Sequence, residues 1–221
     1  MAESYKPPPK KGDRVHYMTV DEYLRYEQSS EQKHEYVSGY VFAMTGARQA
    51  HEIVCGNLFS LVRTHLRGSG CRAFQSNMKV KIATADIFYY PDLVVTCEPY
   101  EPESVMVQKP CLIGEVHSPS TKHIDRREKL VAYTQIESLR EYLMVSPNKY
   151  RIELVRKNAD GEWESTVYGK DDIVTLNSMP EPLEIPVSEF YADIQLTPMV
   201  EESDEDDEYL PPPHRLQPPD K

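Results

Sequence analysis

Two apolar runs in the middle of the chain constrain its fold more than any other feature. They lie within "IFYYPDLVVTCE" and "KPCLIGEVHS". Runs this continuous, bounded by turn residues, read as central strands covered on both faces. Yet each carries a carboxylate: Asp92 directly after Pro91, and Glu115 near the end of its run. Burying an unpaired carboxylate is costly, or it holds the group protonated. If the two strands are neighbours, both acids meet at one edge of the sheet. Their repulsion then keeps one protonated unless a cation lies between them.

The surrounding elements support a mixed sheet. Thr19 followed by Glu22 has the spacing of a capping box and starts a short helix. "HEYVSGYVFAM" reads as a hairpin turning at Ser38 and Gly39. In "RQAHEIVCGNLFSLVRTHLRGSG", Ile53, Val54, Leu58, Leu61, Val62 and Leu66 form one helical stripe that "GSG" ends. "CRAFQSNMKVKIA" reads as one strand, as does each of the two apolar runs. A helix from about residue 124 to 135 carries Leu130, Val131 and Tyr133 on its apolar side. "REYLMVSP" is a strand, and "YRIELVRKNADGEWESTVY" is a hairpin turning at Ala159-Asp160-Gly161. "DIVTL" is a strand, and "VSEFYADI" is a closing helix with Ser188 as its N-cap. Helices alternating with strands in this order predict an α/β protein with a mixed sheet and helices on its faces.

The length of 221 residues, 39% hydrophobic, supports one sizeable core. Residues 1–16, with "KPPPKK", read as a flexible arm, and 17–196 as the folded domain. Residues 197–221 read as an acidic, Pro-rich disordered tail. The formal charge is −11; residues 201–221 carry −6 and residues 1–16 carry +2, which leaves −7 on the rest. An acidic body argues against tight nonspecific DNA binding, which depends on a basic face. The four cysteines, Cys55, Cys71, Cys97 and Cys111, form no CxxC pair. Read as free thiols, they suit a reducing compartment and a cytoplasmic protein. The first residues, "MAESYKPPPKKGDR", read as carrying no signal peptide, and no apolar run is long enough to span a membrane.

Magnesium suits a pair of carboxylates, being hard and commonly held by one or two acids plus waters; manganese or calcium would also fit. Such a site can hydrolyse phosphodiesters, with a lysine supporting the developing charge. Lys129 is the candidate, because its helix directly follows the Glu115 strand. Tyr133, one turn later, shares its face. Nothing matches a GxSxG elbow or a glycine-rich phosphate loop.

The ordered set Tyr90-Pro91-Asp92, Gly114-Glu115-Val116-His117-Ser118-Pro119-Ser120-Thr121, Asp125, Lys129, Tyr133 and Glu141-Tyr142-Leu143-Met144-Val145 resembles a large bacterial family of restriction-endonuclease-like proteins, mostly uncharacterised. The likeness runs from about residue 18 to 194 and includes Glu35, Gly39 and His51. It implies the PD-(D/E)XK nuclease fold, a central mixed sheet flanked by helices, acting on nucleic acid, with DNA the expected substrate. By this likeness Asp92 and Glu115 are the metal-binding acids, Glu35 an added acid and His51 a pocket residue. The nuclease motif places lysine two residues after the second acid, where this chain has His117. The resemblance implies that the role has moved to Lys129.

Plainer readings stand beside these. Asp92 is also a natural turn residue, and Glu115 could form a structural ion pair with Lys129 or Arg126. Lys129 is also spaced for a local helix pair with Asp125. His117 is a turn residue or a partner to the site, and His51 suits a helix start. The two functions the sequence supports are a magnesium-dependent endonuclease, expected as a homodimer, and a nuclease-fold binding protein without cleavage. In either case the Pro-rich tail could dock a protein partner.

Overall fold

The computed structural model describes residues 16–44, 46–117 and 124–196. The N-terminal arm up to residue 15, the whole turn at 118–121 and the C-terminal tail lie outside these residues. So do the side chains of Asp125 and Arg126, and with them the pairs expected for Lys129 and Glu115 there.

The strands form two six-stranded sheets and one small hairpin. The first sheet contains β1 (His16–Tyr17), β2 (His34–Val37), β3 (Tyr40–Ala43), β5 (Lys79–Ile82), β6 (Ile87–Tyr89) and β8 (Met106–Val107), in the order β1-β3-β2-β6-β5-β8. The second contains β4 (Arg72–Gln75), β7 (Leu93–Thr96), β9 (Leu112–Val116), β10 (Glu141–Val145), β11 (Ile152–Lys157) and β12 (Trp163–Tyr168), in the order β12-β11-β10-β9-β7-β4. It is mixed: β9 and β10 run parallel, joined through α3 (Ile124–Thr134), while β7 and β9 are antiparallel. β13 (Ile173–Leu176) and β14 (Leu183–Pro186) pair by themselves.

Local chemistry explains the element ends. α1 (Val20–Ser29) starts on the expected box: the Glu22 N–H donates to Thr19 Oγ1, and the Glu22 carboxylate accepts the Thr19 N–H. The β2–β3 turn places Ser38 and Gly39 at φ 48° and 98°, the left-handed pair a tight hairpin turn requires. α2 (Gln49–His65) buries Val54, Leu58 and Val62, and Leu66 caps the stripe. Ile53 is exposed and Leu61 only half-buried; Cys55 takes the inward place expected for Ile53.

Two expected strands each divide in two. "CRAFQSNMKVKIA" breaks at Ser76 and Asn77 into β4 and β5, and "IFYYPDLVVTCE" breaks at Tyr90-Pro91-Asp92 into β6 and β7. Each break carries the chain from one sheet to the other. Pro91 cannot donate to a ladder, which is the physical reason for the second break. On α3 Leu130, Ala132 and Tyr133 are buried, while Val131 faces solvent. The closing helix is one turn, α4 (Val187–Phe190), and Pro186, not Ser188, occupies its N-cap.

The second sheet is covered on both sides. α2 packs on one face, against Leu93, Val95, Leu112, Val116, Leu143 and Val145. α3 packs on the other, against Val94, Ile113, Tyr142 and Met144. Each fully buried aliphatic chain in such a layer contributes about 1.5–3 kcal/mol. The cysteines depart from the reading of four free thiols. Arg72 pairs with Thr96, so the flanking Cys71 and Cys97 face each other and form a disulfide. Cys55 and Cys111 are free, so the expectation of a reducing compartment rests on these two alone.

Candidate active site

Strand alternation accounts for the buried carboxylate of β9. Successive side chains point to opposite faces. Leu112 and Val116 meet α2, whereas Ile113 meets α3. Glu115 shares the Ile113 face and so points at α3. Gly114 points the other way, where a Cβ would lie 3.1 Å from Leu58 Cδ2, tight enough that any larger residue needs Leu58 to give way.

The antiparallel register pairs Leu93 with Gly114. One step further along it sets Asp92 opposite Glu115. Asp92 Oδ2 accepts the Val116 N–H at 2.8 Å and faces His51 Nε2 at 3.4 Å. The Ser76 hydroxyl donates to Oδ1 at 3.4 Å. Burial opposes ionisation of Asp92, but His51 and the Val116 N–H outweigh it and hold the carboxyl below its ordinary value. His51, in the first turn of α2, is raised by its hydrogen bond with Asp92 against the effect of burial.

Glu115 behaves oppositely. Its Oε1 accepts from Lys129 Nζ at 3.2 Å and from the Tyr133 hydroxyl at 2.9 Å. Even so, burial pushes the carboxyl up to about 7; the Lys129 ammonium pulls it down, while Asp92 and Glu35 push it further up. One ammonium serves two acids, because Lys129 Nζ also lies 2.9 Å from Glu35 Oε1 on β2. Burial works against the Lys129 charge, but Glu115 and Glu35 hold its pKa well above the ordinary lysine value. The same ammonium stands 5.1 Å from the centre of the Tyr89 ring. Tyr133 is fully buried, and burial with the Glu115 charge raises its pKa, so its hydroxyl remains a donor.

Glu35, His51, Asp92, Glu115, His117 and Lys129 all line one cleft of about 570 Å³. Tyr133 sits behind its wall. Every site residue expected from the sequence is therefore brought to this cleft or its backing. His117 reaches it half-buried, with its backbone N–H donating to the Val145 carbonyl at 2.9 Å. Glu141 is not part of the site: it is buried at the far end of β10, where it accepts from the Asn177 and Ser178 N–H groups and pairs with Arg156 at 2.7 Å.

Two residues went unread. Lys33 lines the cleft and donates to the Ser76 carbonyl and to Asn77 Oδ1; its polar surroundings in sequence gave no signal. Cys55 Sγ lies 3.5 Å from His51 Nδ1. The i, i+4 spacing of His51 and Cys55 was its one visible sign.

Mixed sheets with helices on both faces, and acids on adjoining strand ends beside a helix-borne lysine, define a restriction-endonuclease-like α/β protein. The chain belongs to the Uma2 family, described as "Putative restriction endonuclease", whose sequence profile matches residues 20–188. It is 36% identical over 163 residues to uncharacterized protein slr1290 of Synechocystis, covering 73% of this chain and 86% of that protein. It is 32% identical over 151 residues to uncharacterized protein sll1609 of the same organism, covering 66% and 84%. Among solved structures it resembles a "putative nuclease belonging to DUF820" from Anabaena variabilis, with a TM-score of 0.66 and 17% identity over 79% of this chain and 97% of that one. At that identity the likeness speaks for the fold. Among the described residues, no helix is long and apolar enough to cross a membrane.

Proposed function

We propose that this chain is a magnesium-dependent endonuclease, with manganese as a substitute ion, that hydrolyses phosphodiester bonds in DNA. The observation that carries the reading is the convergence of three carboxylates from separate elements, Glu35, Asp92 and Glu115, in one cleft, where the Lys129 ammonium bridges Glu35 and Glu115. The donor set fits a hard divalent ion. The acids outnumber Lys129 and His51 as charge partners, and Glu115 is held partly protonated at neutral pH chiefly by burial, with Asp92 and Glu35 adding to it.

In this reading Asp92 and Glu115 hold the ion, which supplies Lewis acidity toward a phosphoryl oxygen and an acidified water. The chain's own groups do the rest. The Val116 N–H and His51 fix the Asp92 carboxylate, and the Tyr133 hydroxyl fixes Glu115. Lys129 donates toward the charge that develops on the phosphate, from a position already held by Glu35 and Glu115. Lys33 adds a second positive group at the cleft wall. We place the catalytic domain at residues 17–196, with the arm and tail as appendages, and propose a homodimer because two copies of a single-cut site suit duplex cleavage.

The test is cleavage of supercoiled plasmid, single-stranded DNA and RNA with magnesium or manganese. The reading expects activity that disappears in Asp92→Ala and Glu115→Ala. Equal cleavage by wild type and both variants would overturn it. One observation favours a second reading, a nuclease-fold binding protein: Lys129 already partners Glu115 and Glu35. Calorimetry separates the two, because such a scaffold shows no magnesium binding that depends on Asp92.

A further inference from the structure

We infer that His51, Cys55 and Asp92 form a site for a thiophilic divalent ion of the zinc class, and that this ion, by taking Asp92, blocks magnesium from the neighbouring acid pair. The binding stands on the geometry of the three residues alone. Only its inhibitory consequence rests on the nuclease reading.

The donor atoms of the three side chains lie within 4.8 Å of one another. His51 Nε2 faces Asp92 Oδ2 at 3.4 Å and Cys55 Sγ at 3.9 Å. A tetrahedral zinc with bonds of ~2.0 Å to nitrogen and oxygen and ~2.3 Å to sulfur separates those pairs by about 3.3 and about 3.5 Å. Those two spacings need only a few tenths of an ångström of closure, and the Cys55–Asp92 pair, within 4.8 Å, needs at most about 1.3 Å. The arrangement follows from the fold. His51 and Cys55 stand one turn apart on the sheet-facing side of α2, and Asp92 is held against them by the Val116 N–H. Three protein ligands leave a fourth tetrahedral position, and since His51 and Asp92 both line the cleft, that position opens into it.

The donor chemistry sets the selectivity. Thiolate and imidazole bind zinc-class ions far better than magnesium, which prefers oxygen ligands throughout. An all-oxygen pair, Asp92 with Glu115, and a nitrogen–sulfur–oxygen triad thus share one carboxylate. Occupying the triad commits Asp92 to it and leaves Glu115 alone for magnesium.

Cobalt titration of the full chain tests the site without any nucleic acid. Wild type should bind one equivalent, with a thiolate-to-cobalt charge-transfer band and the visible bands of a tetrahedral ion. Cys55→Ser should lose the charge-transfer band and weaken binding by at least the roughly 10–100-fold that follows loss of a mere supporting partner. Cys55→Ala, which keeps the apolar packing, should do the same, and Cys111→Ser should bind like wild type. Absence of the band in wild type, or its survival in Cys55→Ser, overturns the inference. Magnesium should compete with cobalt in wild type; an unchanged cobalt affinity at saturating magnesium overturns the sharing of Asp92. Magnesium calorimetry on Cys55→Ser keeps the two ideas apart. Magnesium binding without a cobalt band in wild type sinks this inference alone. A cobalt band with no magnesium binding in any variant sinks the nuclease reading and leaves the thiophilic site standing.

Discussion

Replacing Glu115 by glutamine in metal-free buffer separates the two forces acting on that side chain, burial and the Lys129 ammonium. Burial wins: the carboxyl moves from an ordinary 4.5 to about 7. One pKa unit corresponds to about 1.4 kcal/mol, so ionised Glu115 costs the folded state about 3 kcal/mol. Between those two pKa values the folded chain keeps a proton that the unfolded chain has released. Stability therefore falls as pH rises through this window and levels off above the folded pKa. Glutamine does not titrate and escapes the loss. Urea denaturation of both proteins in EDTA, from about pH 4.5 to about pH 8, should show wild type losing about 3 kcal/mol relative to Glu115→Gln. In a domain of this size the same change shifts the melting midpoint by about 6–12 °C. Magnesium should restore part of the loss in wild type and less in the variant. Parallel stability curves, or a wild type that gains on the variant as pH rises, would show that the Lys129 pair outweighs burial and would refute the argument.

Lys129→Met should lower the turnover number for plasmid cleavage by ~10²–10³-fold with little change in substrate affinity, measured by steady-state kinetics. Gly114→Ala should destabilise by about 1–3 kcal/mol in urea melts, because the new methyl meets Leu58 and Leu93 at 3.1 and 3.2 Å. Reducing the Cys71–Cys97 bridge, which closes a 26-residue separation, should lower stability by roughly 3–4 kcal/mol. Urea melts with and without dithiothreitol read that change, and Cys71→Ser should not respond to the reductant.

The site was legible because its chemistry conflicts with its surroundings. An acid in an apolar run, as at Glu115, demands a partner, and the helix that follows offers Lys129 and Tyr133 at helical spacing. The Thr19 cap and the Ser38-Gly39 turn were legible because their signals are local. What escaped depends on register or on distant packing. Cys71 and Cys97 pair only because β4 and β7 align Arg72 with Thr96. The breaks at Ser76 and Pro91 split apolar runs that look continuous, since hydrophobic patterning does not record a change of sheet. Val131 and Ile53 read as core because their type fits, but the helices turn Ala132 and Cys55 inward instead. β14 was unread because "LEIP" is short, ends in proline and pairs only with β13, so its own pattern gives little strand signal.

Lys129 has a consequence for how this protein can change over time. Its ammonium touches Glu35 from the first sheet and Glu115 from the second, so it rivets the seam between them. A lineage that abandons cleavage still keeps a mechanical reason to retain this lysine. Its persistence in a relative therefore says less about activity than the pairing of Asp92 with His51, a helix residue, which ties no strand of the first sheet to one of the second.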